Sequence, residues 1–147
     1  MRPVQHGVIS AVLAIGYFSM TKSWMGSWVC FLSGILIDMD HHLDYWIVTK
    51  KIPYNYQNLK KFCFIPSQGR VYLILHAYEF LFIVWLAIYY LQLDLVWTGL
   101  AVGISVHLFC DQLTNPVKPL FYFLSYRVKH GFDKTQLLTP KYFEGNY

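Results

Sequence analysis

Histidines and acids in this chain recur at helical spacings, inside or beside apolar stretches. His6 stands early, and Asp38, Asp40, His41, His42 and Asp44 form a cluster. His76 and Glu79 are three residues apart, and His107 and Asp111 four apart. Spacings of three and four place side chains on one face of a helix. On a straight helix Asp38, His41 and Asp44 also share a face, whereas Asp40 points away from Asp38. The stretch from Ile35 to Ile47 has no glycine and offers no obvious place for a bend. A charged side chain at mid-membrane costs ~2.5–3.5 kcal/mol, so several together require partners. A divalent cation supplies the missing charge, and neutral imidazole and carboxylate are its usual ligands. The expected chemistry is therefore metal binding by His6, Asp38, His41, His76, Glu79, His107 and Asp111, with Asp40 left open by geometry. His42 is a supporting or interfacial residue on this reading.

The elements that must carry these groups are long apolar runs, at about residues 3–20, 24–47, 70–93 and 95–115. Each approaches the ~17–25 residues a helix needs to cross a bilayer. Of the 147 residues, 56% are hydrophobic, 19% aromatic and only 14% charged, against roughly 25% charged in an average soluble domain. The mean hydropathy is +0.36. The expected fold is all-α: a single domain over 1–147, an integral membrane bundle of about four transmembrane helices. Pro3 suits a first helical turn, and Asn115-Pro116 a stop. Gly16, Gly26, Gly34, Gly99 and Gly103 permit close helix contact in lipid, with Gly99-x-x-x-Gly103 the simplest motif for it. Thr49–Gly69 reads as a polar loop, partly interfacial on Tyr54, Tyr56 and Phe62. Residues 116–147 read as an aromatic, basic, interfacial tail. Three cysteines without a C-x-x-C pair argue against a disulfide framework or a thiolate zinc site. The first apolar run, which contains His6, is expected to stay as a helix and not to be a cleaved signal.

Charge placement gives the orientation. Arg2, Lys50, Lys51, Lys60, Lys61, Arg70, Lys118, Arg127, Lys129, Lys134 and Lys141 fall on one side of such a bundle, and only Lys22 on the other. The positive-inside rule makes the first side cytoplasmic, with both termini inside and the chain in a plasma or inner membrane. The candidate ligands then lie toward the cytoplasmic ends of the helices. Despite a net charge of +4, the basic residues sit between apolar runs and not across an aromatic-interleaved surface, so no nucleic-acid partner is expected. His130 and Asp94 read as ordinary surface residues.

Gly34-Ile-Leu-Ile-Asp38-Met-Asp40-His41, an early helical His6, and Ser105-Val-His107-Leu-Phe-Cys-Asp111-Gln-Leu-Thr114 together resemble a known family. It is the membrane-bound metal-dependent hydrolases, the YdjM-like group of bacterial inner-membrane proteins. The resemblance runs over roughly residues 1–116 and implies metal-site roles for His6, Asp38, Asp40, His41, His107 and Asp111. Two positions depart from the family pattern. Ile37 stands in place of a proline, and the central motif reads His76-Ala-Tyr-Glu79 without the family's Arg and Ser. The ligand mixture also looks similar, by analogy alone, to zinc-dependent phospholipase C. The resemblance implies hydrolysis by metal-activated water, and the number of candidate ligands suggests two or more ions, zinc first and manganese or iron next. Asp111 is the candidate bridge, and Asp38 or Glu79 the candidate proton acceptor. Lys50, Lys51, Lys60, Lys61 and Arg70 near a membrane surface suit an amphiphilic anionic substrate, such as a phospholipid or lipid-linked phosphate. The alternatives are a metal or proton transporter, and a non-catalytic membrane protein whose metal staples its helices.

Overall fold

Eight α-helices and no β-strand form among the described residues, in keeping with the all-α expectation. In this computed structural model the described residues are 3–52, 55–64 and 69–139, without the side chains of Tyr56, Lys60, Lys61 and Phe64. Arg2, Pro53, Tyr54, Pro66 and Lys141 lie outside them. The chain divides into two compact units, one of residues 1–37 and 78–114, the other of residues 38–77 and 115–147.

The first unit is a helical bundle of α1 (Pro3–Thr21), α2 (Trp24–Leu36), α5 (Tyr78–Leu91) and α6 (Leu95–Thr114). Ser23 caps α2 by accepting from the Gly26 amide at 3.1 Å, and Asp94 caps α6 by accepting from the Val96 amide at 3.0 Å. Both caps satisfy amides that a helix start leaves unbonded. Asp94, read from sequence as an ordinary surface residue, thus has a structural task. Glycines set the packing of α2 against α6. A Cβ on Gly99 would collide with the Gly26 carbonyl, and one on Gly103 with the Cys30 carbonyl and Ser33 Oγ. A Cβ on Gly34 would meet Ser10 Oγ of α1. The Gly99-x-x-x-Gly103 motif therefore does what its spacing suggests.

The polarity of α1 is inverted relative to a helix of a water-soluble bundle. Along α1, Val4, Val8, Val12 and Ile15 are 60–77% exposed, whereas His6, Ser10 and Tyr17 face inward. On α5, Phe82, Ile83, Leu86 and Tyr89 are exposed and no residue is buried. By length and apolarity α1, with 19 residues, and α6, with 20, can cross a membrane. At 13 and 14 residues α2 and α5 fall short of the ~17 that a span requires. Of the four expected spans, two are thus long helices and two are shorter.

The second unit holds α3 (Asp40–Thr49), α4 (Tyr56–Phe64), α7 (Leu124–Lys129) and α8 (Lys134–Leu137), with an extended strap over residues 69–77. Two expectations are corrected here. The stretch 24–47 is not one helix, because a 3-10 turn at Ile37–Met39 separates α2 from α3. The helix expected from residue 70 begins at Tyr78, and His76 precedes it. The strap pairs with the tail through the antiparallel bridge Arg70–Asp133 and a 2.9 Å bond from the Val71 amide to the Phe132 carbonyl, and the tail pairs with itself at the bridge Val117–Leu138. Val71, Leu73, Phe121, Tyr122, Leu137 and Leu138 form its apolar core. The tail expected to lie in the interface therefore contributes much of a packed core. Phe62 packs edge-on against Tyr45, in the same unit.

Candidate metal centres

In the first unit, His6 on α1 and His107 and Asp111 on α6 come together, each 3–4% exposed. His6 Nε2 lies 3.1 Å from Asp111 Oδ1, and His107 Nε2 lies 3.5 Å from Asp111 Oδ2. The two imidazoles stack at 4.0 Å with planes 16° apart. One atom from each of the three residues falls within 4.8 Å of the other two. Ligand atoms ~2.0–2.1 Å from a tetrahedral ion lie roughly 3.3 Å apart, so this donor set has the spacing of a coordination sphere.

His107 Nδ1 lies 2.8 Å from the Gly34 carbonyl. A carbonyl only accepts, so Nδ1 carries the hydrogen and a neutral His107 turns the lone pair of Nε2 toward Asp111. A lone pair and a carboxylate oxygen repel each other unless a cation, either a proton or a metal ion, lies between them. Gly34 O is one of the last four carbonyls of α2, the groups for which a helix has no regular partner. The 3-10 turn that ends α2 and the missing side chain at Gly34 thus together position this histidine.

In the second unit Asp38, Asp40, His41 and His76 are brought together. Asp40, buried on α3, accepts through Oδ2 from the Leu75 amide at 2.7 Å and the His76 amide at 3.1 Å, and faces His76 Nδ1 at 3.2 Å. The hydrogen on His76 therefore sits on Nδ1, and Nε2 turns toward Asp38 Oδ1 at 3.7 Å. His41 Nε2 is 3.9 Å from the same oxygen. Asp40 thus has the place of a carboxylate that orients a metal-ligating histidine. It is Asp40 and Asp44, not Asp38 and Asp44, that share the buried face of α3. The bend that had seemed to have no place lies at Ile37–Met39, immediately before Asp40.

The strap bearing His76 is held from two sides. Asp44 Oδ1 accepts from the Tyr72 amide at 2.8 Å. Arg127 of α7, fully buried, donates to the carbonyls of Tyr72, Leu73 and His76. Leu73, with φ at 43°, occupies the left-handed region that a branched side chain disfavours. Arg127 was counted from sequence only as a basic residue of the tail. Arg127 and Lys129 look alike in the sequence, and only the register of α7 buries one and exposes the other. Lys134, likewise counted with the surface charge, is buried, donates to the Phe62 carbonyl at 2.8 Å and lies 3.9 Å over the Phe62 ring.

Glu79 does not share a helix face with His76. It lies in the first turn of α5, in the first unit, and His76 belongs to the strap of the second. His42 is exposed. Cys63 Sγ lies 3.7 Å from His41 Nδ1, and burial pushes its thiol up to about 12, so the sulfur stays protonated at neutral pH. No family model, curated protein or solved structure matches this chain, so the family resemblance rests on His6 and the motifs at residues 34–41 and 105–114.

Proposed function

We propose that this chain is a membrane-embedded metal-dependent hydrolase acting on a phosphoester of a lipid or other amphiphile. The observation that carries the reading is the buried His6–His107–Asp111 group, with the Nδ1 hydrogen of His107 fixed by Gly34 O. Three protein ligands, two imidazoles and a carboxylate, are the donor set that leaves one position of a divalent ion open. His6, His107 and Asp111 would hold one ion. Asp38 and His76, with His41, would hold a second, and Asp40 would orient His76 without needing to bind the ion itself. Zinc suits this mixture best, with manganese or iron next. When bound, such an ion supplies Lewis acidity and lowers the pKa of a coordinated water toward 7.

The residues divide the remaining work. Asp38, 31% exposed where Asp40 and Asp111 are buried, is the carboxylate open to a substrate and the preferred proton acceptor. Glu79 keeps that role only as a second choice, since it lies in the first turn of α5 and not on the strap that carries His76. An exposed apolar surface on α1 and α5, around an inward-facing polar group, supports lipid as the solvent of the first unit. The basic residues of the loop and tail support a cytoplasmic orientation in the inner membrane and an anionic substrate.

The test is hydrolysis of a panel of lipid phosphoesters by detergent-purified, zinc-loaded protein. Turnover of at least one of them is expected, with loss by ~10²-fold or more in Asp38→Asn while the melting temperature holds. No turnover across the panel, combined with metal-driven flux in proteoliposomes, would favour a transporter. Loss of folding alone on metal removal would favour a structural staple.

A further inference from the structure

We propose a second ligand site, for a phosphate monoester group, in the hollow between the start of the strap and the α7–α8 turn. The hollow measures about 610 Å³, in the range of small-ligand sites. It is lined by Arg70 from the strap, by Lys129 and His130 from the end of α7, and by Gln136 from α8. None of Asp38, Asp40, His41 and His76 lines it, so it is distinct from the metal group of the same unit.

Its charge is that of an anion site. Arg70 and Lys129 are fixed cations approaching from two different segments. His130 Nδ1 faces the Tyr126 carbonyl at 2.8 Å, so Nδ1 carries the hydrogen, and the ring packs against that of Tyr126 at 4.2 Å with the planes tilted by 41°. Asp133 is the one acid in the lining. Its carboxylate is engaged as the cap of α8, accepting from the Thr135 amide and hydroxyl at 2.8 Å each, and those bonds hold it below the usual carboxylate range. One engaged carboxylate against two cations leaves the hollow net positive. An arginine fork, an ammonium and a carboxamide supply donors for the three oxygens of a phosphate monoester. Gly69 and Gly131, both with positive φ, keep the wall free of side chains.

The same unit exposes Ile74, Leu120, Phe123 and Val128, with Val128 next to Lys129. An exposed apolar side chain adjoining a cation in the chain, as Val128 adjoins Lys129, is the pattern of contact with an anionic lipid surface, which favours the phosphate of a lipid headgroup over the free ion. Binding here needs neither metal nor turnover, so its failure and failure of the hydrolase reading are separable.

The experiment uses the full chain in neutral detergent with chelator present. Dihexanoyl phosphatidate, dihexanoyl phosphatidylcholine and inorganic phosphate are titrated separately by calorimetry. Phosphatidate is expected to bind, phosphatidylcholine to bind at least ~10-fold more weakly, and the Arg70→Gln/Lys129→Gln double variant to lose ~10-fold or more for phosphatidate. Both side chains are exposed, so the variant is expected to keep its melting temperature. Inorganic phosphate binding as tightly as phosphatidate, with the same dependence on the two cations, would keep the site and assign it to free phosphate. No binding of either phosphate probe, or binding that the double variant leaves unchanged, overturns the proposal.

Discussion

His107 and His76 are built alike although they stand in different units. Each has its Nδ1 hydrogen fixed by an acceptor, Gly34 O for one and Asp40 Oδ2 for the other, and each turns Nε2 toward an aspartate. Fixing one nitrogen as donor selects the tautomer that binds a metal with the other, without the entropy of a freely rotating ring. Asp40→Asn keeps the size of the side chain and removes its charge. It is expected to weaken metal affinity about 10–100-fold by chelator competition. Unchanged affinity would make Asp40 a purely structural residue. Lys134 gives a residue-level prediction about pH. Burial holds its ammonium below the ordinary value of 10.5, opposed by the nearby Asp44 charge. Between that lowered value and 10.5 the unfolded chain binds more protons than the folded one, so stability rises with pH across the window. Thermal unfolding in detergent from pH 8 to 11 should show the wild type gaining on Lys134→Met as pH rises. Parallel curves would contradict the burial of the charge.

At the scale of elements, the strap over residues 69–77 depends on charges that come from distant parts of the sequence. Asp40 and Asp44 accept from its amides, and Arg127 donates to three of its carbonyls. Arg127→Met removes the cation and leaves those buried carbonyls without their donor, at 1–3 kcal/mol for each group. A loss of about 3 kcal/mol or more is expected, read as a lowered melting temperature together with weakened metal binding at the His76 group. A variant as stable as the wild type would show that the strap holds itself. The helices of the first unit could be read from sequence because their apolar runs and glycine spacing are local signals. His107 and Asp111 were legible as a pair for the same reason, being four residues apart on α6. The break at Ile37–Met39 was not, since no glycine or proline marks it, and it decides that Asp40 rather than Asp38 shares a buried face with Asp44. The His76–Glu79 pairing failed because it assumed a helix where the chain runs extended until Tyr78. Arg127 is invisible in the sequence for a further reason. What buries it is a long-range fit to the strap, and a single sequence does not display such a fit.

For the molecule as a whole, apolar surface faces outward on α1 and α5, and ionisable groups are buried inside. Burying histidines and acids under an apolar surface is costly without a compensating cation. Among the described residues the first unit has the buried grouping His6–His107–Asp111, and the second has buried Asp40 and His76 beside the half-exposed Asp38 and His41. A protonated imidazole could supply that charge as well as a metal ion could, and the two differ in what the purified protein carries. Metal analysis of the full chain in detergent, after dialysis against zinc at pH 7.5, separates them most directly. We expect about two tightly held ions per chain, one lost in Asp111→Ala and the other in His76→Ala. Protein that carries no metal, or whose metal content neither variant changes, would contradict the metal-centre reading and leave protonated histidines as the partners of these carboxylates.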